Sequence, residues 1–576
     1  MNEPQETEPQ ETEPQETEPR SPELREAELR EAEHHDRRGA EAPVPASPAP
    51  AASPASQLTR RSGIVAAGTL LSRVLGVARD QVLAATIPTA WTDLFFDAFT
   101  IPNALRGLLA EGAVSSALVP VYSEVREREG TEAAKRFYAG FRGAMLVVLL
   151  AVSAIGVLFA RPIATAYGAG FADDPERFEA FVTLTRIVFP YILFMGLAAL
   201  GAGVLNAHGH FAVPAAAPAL LNVSFVLAPF VLVPPLLASG QPAIFALGIA
   251  ALVGGVLQVV AQWPALRAVG MPSLPRLDLS DTQVRKAFRL LLPLTLGLGV
   301  YQLNVMMSRL FTSYLPEGAM SYLYYAQRLV EIPQGMFGVA IASAAMPTLA
   351  ALRAKGDREG VLATFREALS LAMFVAFPLS AVLAALGHPI VVVLFSRGEF
   401  GADAALETGR SLAWQAAGVW AVASVRVLVP VFHAHNETRL PLWGGAANLV
   451  VFVASGFFLS RALGHVGIAI AISLAGTVQF LVLGALLRRK LGALGLRSML
   501  PALARSALAS LLAGAAGWGV ARLGAWERGG NDPSNLAVLS LALLVSALVF
   551  LGLGAALGAP ELARLTARLR RRLRRG

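Results

Sequence analysis

The sequence predicts an all-α polytopic membrane protein with about fourteen transmembrane helices. Three observations carry that prediction. The 576 residues are 55% hydrophobic and only 15% charged, with a mean hydropathy of +0.55, whereas a soluble chain of this length carries roughly a quarter charged residues. From Arg60 onward, apolar stretches long enough to cross a bilayer follow one another almost without a break. Lysine and arginine are alternately abundant and scarce in the segments that join them. A soluble enzyme, a nucleic-acid binder and a secreted disulfide scaffold are disfavoured together. The absence of cysteine also removes thiolate nucleophiles, Cys-ligated zinc and iron–sulfur clusters.

The first 57 residues stand apart, with 14 acidic and 5 basic side chains. They open on EPQET repeated at period five, pass through ELREAELREAEHHDRR and end in an Ala/Pro/Ser run near Ser56. Such a composition cannot bury apolar surface, so residues 1–58 read as a disordered cytoplasmic tail. They contain no apolar stretch of the signal-peptide kind.

Fourteen spans come next, at about 62–87, 94–123, 136–160, 179–206, 212–235, 242–266, 285–314, 319–350, 363–394, 404–433, 440–462, 465–487, 500–522 and 534–558. Several exceed the ~20 residues a crossing needs, so tilt or extra turns are expected. With the N-terminus inside, the cytoplasmic segments hold 26 Lys/Arg and the opposite ones 6, and the alternation never breaks. Both termini are therefore expected in the cytoplasm. The basic C-terminal run, RLTARLRRRLRRG, reads as an anchor to anionic headgroups rather than a nucleic-acid site.

A duplication lies within the spans. AVSSALVP (113–120) aligns with AIASAAMP (340–347), and VLNAHGHFAVP (204–214) with VFHAHNETRLP (431–441), both at an offset of 227 residues. That offset covers six spans, an even number, so the two halves run in parallel. The expected organisation is a six-helix lobe at 59–270, a second at 271–490, two additional helices at 491–560 and a basic tail at 561–576. Duplicated bundles around a central site are a transporter architecture.

Signals of soluble catalysis are missing. There is no G-x-x-x-x-G-K-[ST] loop for a nucleotide. His208/His210 and His433/His435 fall in short turns without carboxylates beside them, so neither metal nor cofactor is expected. The informative residues are charges inside spans. Arg73 lies about eleven residues into the first span, so ~16 Å deep. Arg106, Arg328 and Arg426 lie within spans 2, 8 and 10, while Arg79, Asp80, Asp93 and Asp97 gather toward the outer ends of spans 1 and 2. Glu111 follows Arg106, and Glu331 stands one turn from Arg328. A charge at the bilayer centre costs ~2.5–3.5 kcal/mol even on the lenient insertion scale. Ion pairing could account for any one of these residues, but the four central arginines outnumber Glu111 and Glu331. They imply a water-filled cationic cavity for an anionic cargo, and arginine's planar fork suits phosphate.

Several stretches resemble one family. GTLLSRVLGVARD (68–80), FFDAFTIPNALRGLLAEGAVSSALVPVYSE (95–124), FPYILF (189–194), APALLN (217–222) and YYAQRLVEIPQGMFGVAIASAAMPTL (324–349) are similar to the lipid II flippases of the multidrug/oligosaccharidyl-lipid/polysaccharide exporter superfamily. The resemblance covers about residues 62 to 560. It implies two six-helix lobes around a cavity, with two further helices forming a groove for a polyprenyl tail. The implied cargo is lipid II, the undecaprenyl-pyrophosphate-linked peptidoglycan precursor, moved from inner to outer leaflet of the bacterial plasma membrane by alternating access. Membrane lipids and the cell-wall synthesis machinery are the other implied partners. Nothing would be chemically transformed. Arg73, Arg106, Arg328, Asn103 and Arg426 would bind cargo. Arg79, Asp80, Asp93, Glu111, Ser321 and Glu331 would serve gating or coupling. Gln327 stands where relatives often carry Asp. Spans 7 and 11 lack the acids that some sodium-coupled members place there.

Three other readings use the same features. A flippase for another polyprenyl-linked glycan would need the same cationic cavity. A membrane glycosyltransferase would need metal-binding carboxylates in a cytoplasmic loop, and the longest one offers only Asp278 and Asp281. A cationic-drug exporter would need an acidic cavity.

Overall fold

The computed structural model describes residues 54–107, 113–272 and 274–563. Glu111 and the basic run from 564 onward lie outside the described residues, as do residues 1–53. The chain divides into two units, Met1–Arg60 and Arg61–Gly576, and the apolar spans lie in the second.

Every element described there is helical. Each of the fourteen apolar stretches coincides with a helix or a broken pair of helices. Span 1 is Pro54–Thr86, and span 2 is Thr89–Arg106 followed by Ala113–Arg128. Span 3 is Thr131–Leu158, and span 4 is Pro175–Val188 with Tyr191–Ala207. Spans 5 to 8 are Ala212–Val231, Phe245–Ala268, Thr282–Ser313 and Ala319–Ala354. Span 9 is Arg358–Ala385 continued by Gly387–Phe395, and span 10 is Ala402–Ala417 with Val419–Ala434. Arg439–Leu491 holds spans 11 and 12, and Leu500–Ala521 and Pro533–Ala556 are spans 13 and 14.

By length and apolarity alone, eight described helices could cross a bilayer, or nine if the pair around Gly418, bent by 41°, counts as one span. Three of the spans missing from that count have a visible reason. Helices 54–86 and 89–106 carry charges in their apolar stretches: Arg73, Arg79 and Asp80 in one, Asp93, Asp97 and Arg106 in the other. The 53-residue helix is also two helices, because Gly464 has non-helical backbone angles (φ 60°, ψ −139°). The chain doubles back there, which brings Asn448 Nδ2 to 3.1 Å from Gln479 Oε1 across the two arms.

The duplication is visible in the backbone. Helices 131–158 and 358–385 begin and end 227 residues apart, and so do the helix starts at 160 and 387, 175 and 402, and 212 and 439. The turn after span 4 recurs after span 10 with the same bonds. His208 Nδ1 meets Val204 O at 3.0 Å, and His435 Nδ1 meets Val431 O at 2.8 Å. Each turn closes through a left-handed residue, Gly209 (φ 78°) in one copy and Asn436 (φ 57°) in the other, the conformation that ends a helix in this way. His208 and His435 thus hold helix ends.

Packing sets the cavity in place. Spans 3 to 6 pack around span 2, while spans 9, 10 and 12 pack around span 8; the pair 500–521 and 533–556 leans on span 9. At the far end, where span 1 terminates at Thr86, one apolar cluster joins both halves, with Leu83, Ile87, Phe95 and Phe96 packed among residues such as Tyr325 and Phe400. At the near end there are two separate clusters. One is built on Tyr122, Phe137 and Phe141 together with Val284 and Leu291 of span 7. The other is built on Phe365, Val431 and Leu487. The halves are therefore joined by one large cluster at the far end and, at the near end, by span 7 packed on spans 2 and 3.

Candidate functional site: a cationic cavity beneath a sealed end

Between the halves lies a cavity of about 650 Å³, lined from spans 1, 2, 4 to 8 and the end of span 9. Five arginines line it: Arg73, Arg79, Arg106, Arg309 and Arg328. Among the described residues that line it, only two carboxylates, Asp80 and Glu331, face them. Buried charge is costly to hold without compensation, so an excess of arginine in a semi-enclosed space is a site suited to an anion.

Each arginine is aimed by its helix position. Arg79 and Asp80 are adjacent on span 1, and the Arg79 guanidinium donates twice to Asp80 Oδ1, at 2.9 and 2.7 Å. It also reaches Asn222 Oδ1 on span 5 (3.2 Å) and the Tyr324 hydroxyl on span 8 (3.0 Å). Arg328, one turn after Tyr324, donates to the same hydroxyl through Nε and Nη2 at 3.2 and 3.1 Å. Its Nη1 lies 3.3 Å from Glu331, and Asp80 stands 3.8 Å from Nε. Phe96 stacks on the Tyr324 ring at 3.8 Å between centroids. Spans 1, 2 and 8 are thus tied through one tyrosine, and Arg79 adds span 5 through Asn222. The arginines differ in readiness: the Arg79 side chain is 10% exposed, whereas that of Arg328 is 41% exposed. Arg328 can turn to an incoming anion, and Arg79 is the fixed brace.

Arg106, in the last turn of helix Thr89–Arg106, donates from Nε to Asn103 Oδ1 at 3.0 Å. Asn103 therefore orients Arg106, and both line the cavity. Arg73 lines it too, and donates from Nη1 to the Ile332 carbonyl at 3.3 Å. Arg426 is not brought to the cavity; its Nη1 donates to the Gln334 carbonyl at 3.0 Å. Arg73 and Arg426 thus hold the carbonyls on either side of Pro333, the one from the cavity and the other from span 10.

Arg309 is the residue sequence reasoning missed. It lies near the far end of span 7, inside an apolar stretch like the other four, so the same signal of a charge within a span was there to be read.

Asp93 and Ser321 belong to the seal rather than the cavity. Asp93, 3% exposed, accepts from Gly318 N (2.7 Å), Ser321 N (2.8 Å) and Ser321 Oγ (2.6 Å). A span 2 carboxylate thereby caps the N-terminus of span 8, where unpaired N–H groups and the helix dipole favour negative charge. Arg177 of span 4 clasps the same corner, bonding Glu317 at 2.7 Å and the Ala90 carbonyl at 3.0 Å. Gly398 (φ 56°) passes so close to the Ala85 carbonyl that a Cβ would clash with it, and Glu399 N donates to that carbonyl at 3.1 Å.

Amides link spans 7, 11 and 12. Asn304 of span 7 bonds Asn448 of span 11, which bonds Gln479 of span 12. Among the described residues no group of three or more His, Cys, Asp or Glu side chains could hold a metal.

This geometry meets the comparisons with known proteins. A family model described as lipid II flippase MurJ matches residues 87–529. The chain is 33% identical over 427 residues to a lipid II flippase MurJ of Burkholderia cenocepacia, covering 73% of this chain and 82% of that one. It is 32% identical to a probable lipid II flippase MurJ of Bdellovibrio bacteriovorus, over 87% and 95% of the two chains. Among solved structures, a lipid II flippase MurJ in an inward closed conformation superposes with a TM-score of 0.70 at 22% identity, covering 85% of this chain and 98% of that one. A multidrug transporter of the MATE family, inward-facing, does so with a TM-score of 0.60 at 17% identity, over 74% and 95%. The structural likenesses speak for the fold, and the sequence matches for the family: the chain belongs to the lipid II flippase MurJ family.

Proposed function

We propose that the chain carries lipid II from the inner to the outer leaflet of the bacterial plasma membrane, with the pyrophosphate held by Arg106, Arg328 and Arg73 and oriented by Asn103. The observation that carries this reading is the cavity's charge, five arginines against two carboxylates. A pyrophosphate diester brings two negative charges and several acceptor oxygens, which guanidinium forks can engage bidentately. A drug exporter of the same fold would need the opposite sign. Binding is the whole task, so no bond in the cargo is broken.

Asp93, Ser321, Arg177 and Thr92, whose hydroxyl lies 2.7 Å from that of Ser321, form the outer gate, which is shut here. Cargo enters from the near side, and its departure requires the Asp93 bonds across spans 2 and 8 to part. Arg79, Asp80 and Glu331 hold the cargo-binding arginines in place between cycles. Both termini face the cytoplasm, and spans 13 and 14, against span 9, receive the polyprenyl tail.

The test is saturable binding of fluorescent lipid II to the purified full chain. Wild type should bind, and Arg328→Glu should lose at least about tenfold in affinity, the worth of one charge-assisted contact. Equal affinity in the two proteins would contradict the placement of the pyrophosphate.

A further inference from the structure

Helix Phe245–Ala268, the sixth span, is apolar apart from Arg267 at its near end, the indole of Trp263 and two primary amides, Gln258 and Gln262. The amides stand four residues apart and so share one face. Both line the cavity, in its wall, at 2% exposure each. Neither is well held. Gln258 Nε2 has the Met195 sulfur at 3.3 Å and the Gly254 carbonyl of its own helix at 3.4 Å, and a thioether is a weak acceptor. Gln262 Oε1 is buried with no hydrogen-bond partner among the described residues. It lies against Gly201 of span 4, where a Cβ would stand 2.7 Å from it.

Packing alone does not account for the pair. Amides that join membrane helices bond across to a partner, whereas these two meet a sulfur and a bare glycine. A buried polar atom left unpaired costs ~1–3 kcal/mol. Nor does the duplication repeat them, because span 12 carries Ala485 and Arg489 at the offset of 227 residues. The wall beside them is small and apolar, with Ala198, Ala199 and Ala202 of span 4 lining the cavity next to Met195. Two under-used amides and an alanine surface thus stand in one cavity with the arginines of spans 1, 2, 7 and 8.

We infer that Gln258 and Gln262 form a subsite for the acetamido group of the sugar that carries the pyrophosphate. An acetamido group offers one N–H donor, one carbonyl acceptor and a methyl. A glutamine amide complements the first two, its Oε1 accepting from the N–H and its Nε2 donating to the carbonyl. The last torsion of a glutamine side chain is broad, so the amide turns to its partner at little cost. The alanine surface takes the methyl. In lipid II the acetamido group stands on the ring carbon next to the one that bears the pyrophosphate, so a phosphate held by the arginines keeps it in the same cavity. The arginines cannot tell one polyprenyl-linked glycan from another, because the pyrophosphate is common to them. The amides can, since a first sugar with a hydroxyl in place of the acetamido group leaves them unpaired.

The inference rests on the reading that the cavity binds the cargo's pyrophosphate, and one experiment separates the two. Two synthetic probes, a polyprenyl pyrophosphate carrying N-acetylglucosamine and one carrying glucose, compete with fluorescent lipid II for the purified full chain. Wild type should prefer the acetamido probe by about tenfold, the worth of one or two hydrogen bonds made out of water. In the Gln258→Met, Gln262→Met double variant, which keeps the volume of both side chains, the ratio should fall to about one. Damage to packing alone would weaken both probes and leave the ratio as it was. Equal wild-type affinity for the two probes overturns the inference, as does an undiminished ratio in the double variant. If the double variant fails to accumulate, an undiminished ratio in both single variants is the overturning result. Displacement of lipid II by neither probe would overturn the cargo reading and this inference with it.

Discussion

At the scale of single residues, the site divides into braces and free hands. Arg328 illustrates a free hand: it spends three nitrogens on Tyr324 and Glu331 while remaining 41% exposed. A lysine there keeps the charge but cannot span the tyrosine and a phosphate at once. Arg328→Lys should therefore transport measurably less than wild type, with Arg328→Ala lower still, in a complementation assay at matched protein levels. Asp93 illustrates a brace. Asp93→Ala would leave the Gly318 and Ser321 N–H groups buried and unpaired, a loss of about 3 kcal/mol, to be seen as a lowered Tm of the purified protein. Charges within spans made most of these residues legible in the sequence, because bilayer burial makes any such charge conspicuous. What the sequence could not show was their division of labour. That Arg426 serves a backbone carbonyl beside Pro333, and that Arg79 is locked while Arg328 is open, depends on neighbours 92 to 245 residues away.

At the scale of elements, apolar length and Lys/Arg spacing located the spans, but the breaks escaped them. Spans 4, 9 and 10 are interrupted along their length, and hydropathy does not register a short non-helical link inside an apolar run. Gly464 is the sharpest case, since its angles suit glycine and few other residues. Gly464→Ala should cost about 1–3 kcal/mol, although a Cβ there meets nothing within 4 Å. Gly484, equally open but helical, is the control, because alanine there should be neutral or stabilising by up to about 1 kcal/mol. Thermal unfolding of the two variants side by side separates backbone strain from loss of space. At the near end, Glu124 bonds Lys286 at 2.6 Å, and the ammonium beside it holds its carboxyl below the usual carboxylate range. A depressed acid contributes above its ordinary range, and the contribution is lost as pH falls through the lowered value. Spin labels at Glu127 and Arg285 should thus report a distance that is constant at neutral pH and lengthens only under strong acid.

At the scale of the whole molecule, the duplication was legible from two short alignments, and the backbone repeats it down to the turn histidines. The orientation rests on the Lys/Arg bias and has a direct check, since the chain contains no cysteine. A single cysteine at the exposed far-end position Glu317 should react with an impermeant reagent added outside cells. One at the exposed near-end position Lys355 should react only after the membrane is opened. The reverse pattern would invert the transport direction.

Whether this cavity moves lipid II across the membrane is measured most directly by the share of lipid II that an impermeant lipid II-cleaving enzyme can reach from outside. That share is compared before and after expression of the chain is switched off. It should collapse while total lipid II rises, and wild type should restore it where Arg328→Ala does not. A cleaved share unchanged by depletion, in cells with no second copy of such a protein, would contradict transport of lipid II by this cavity.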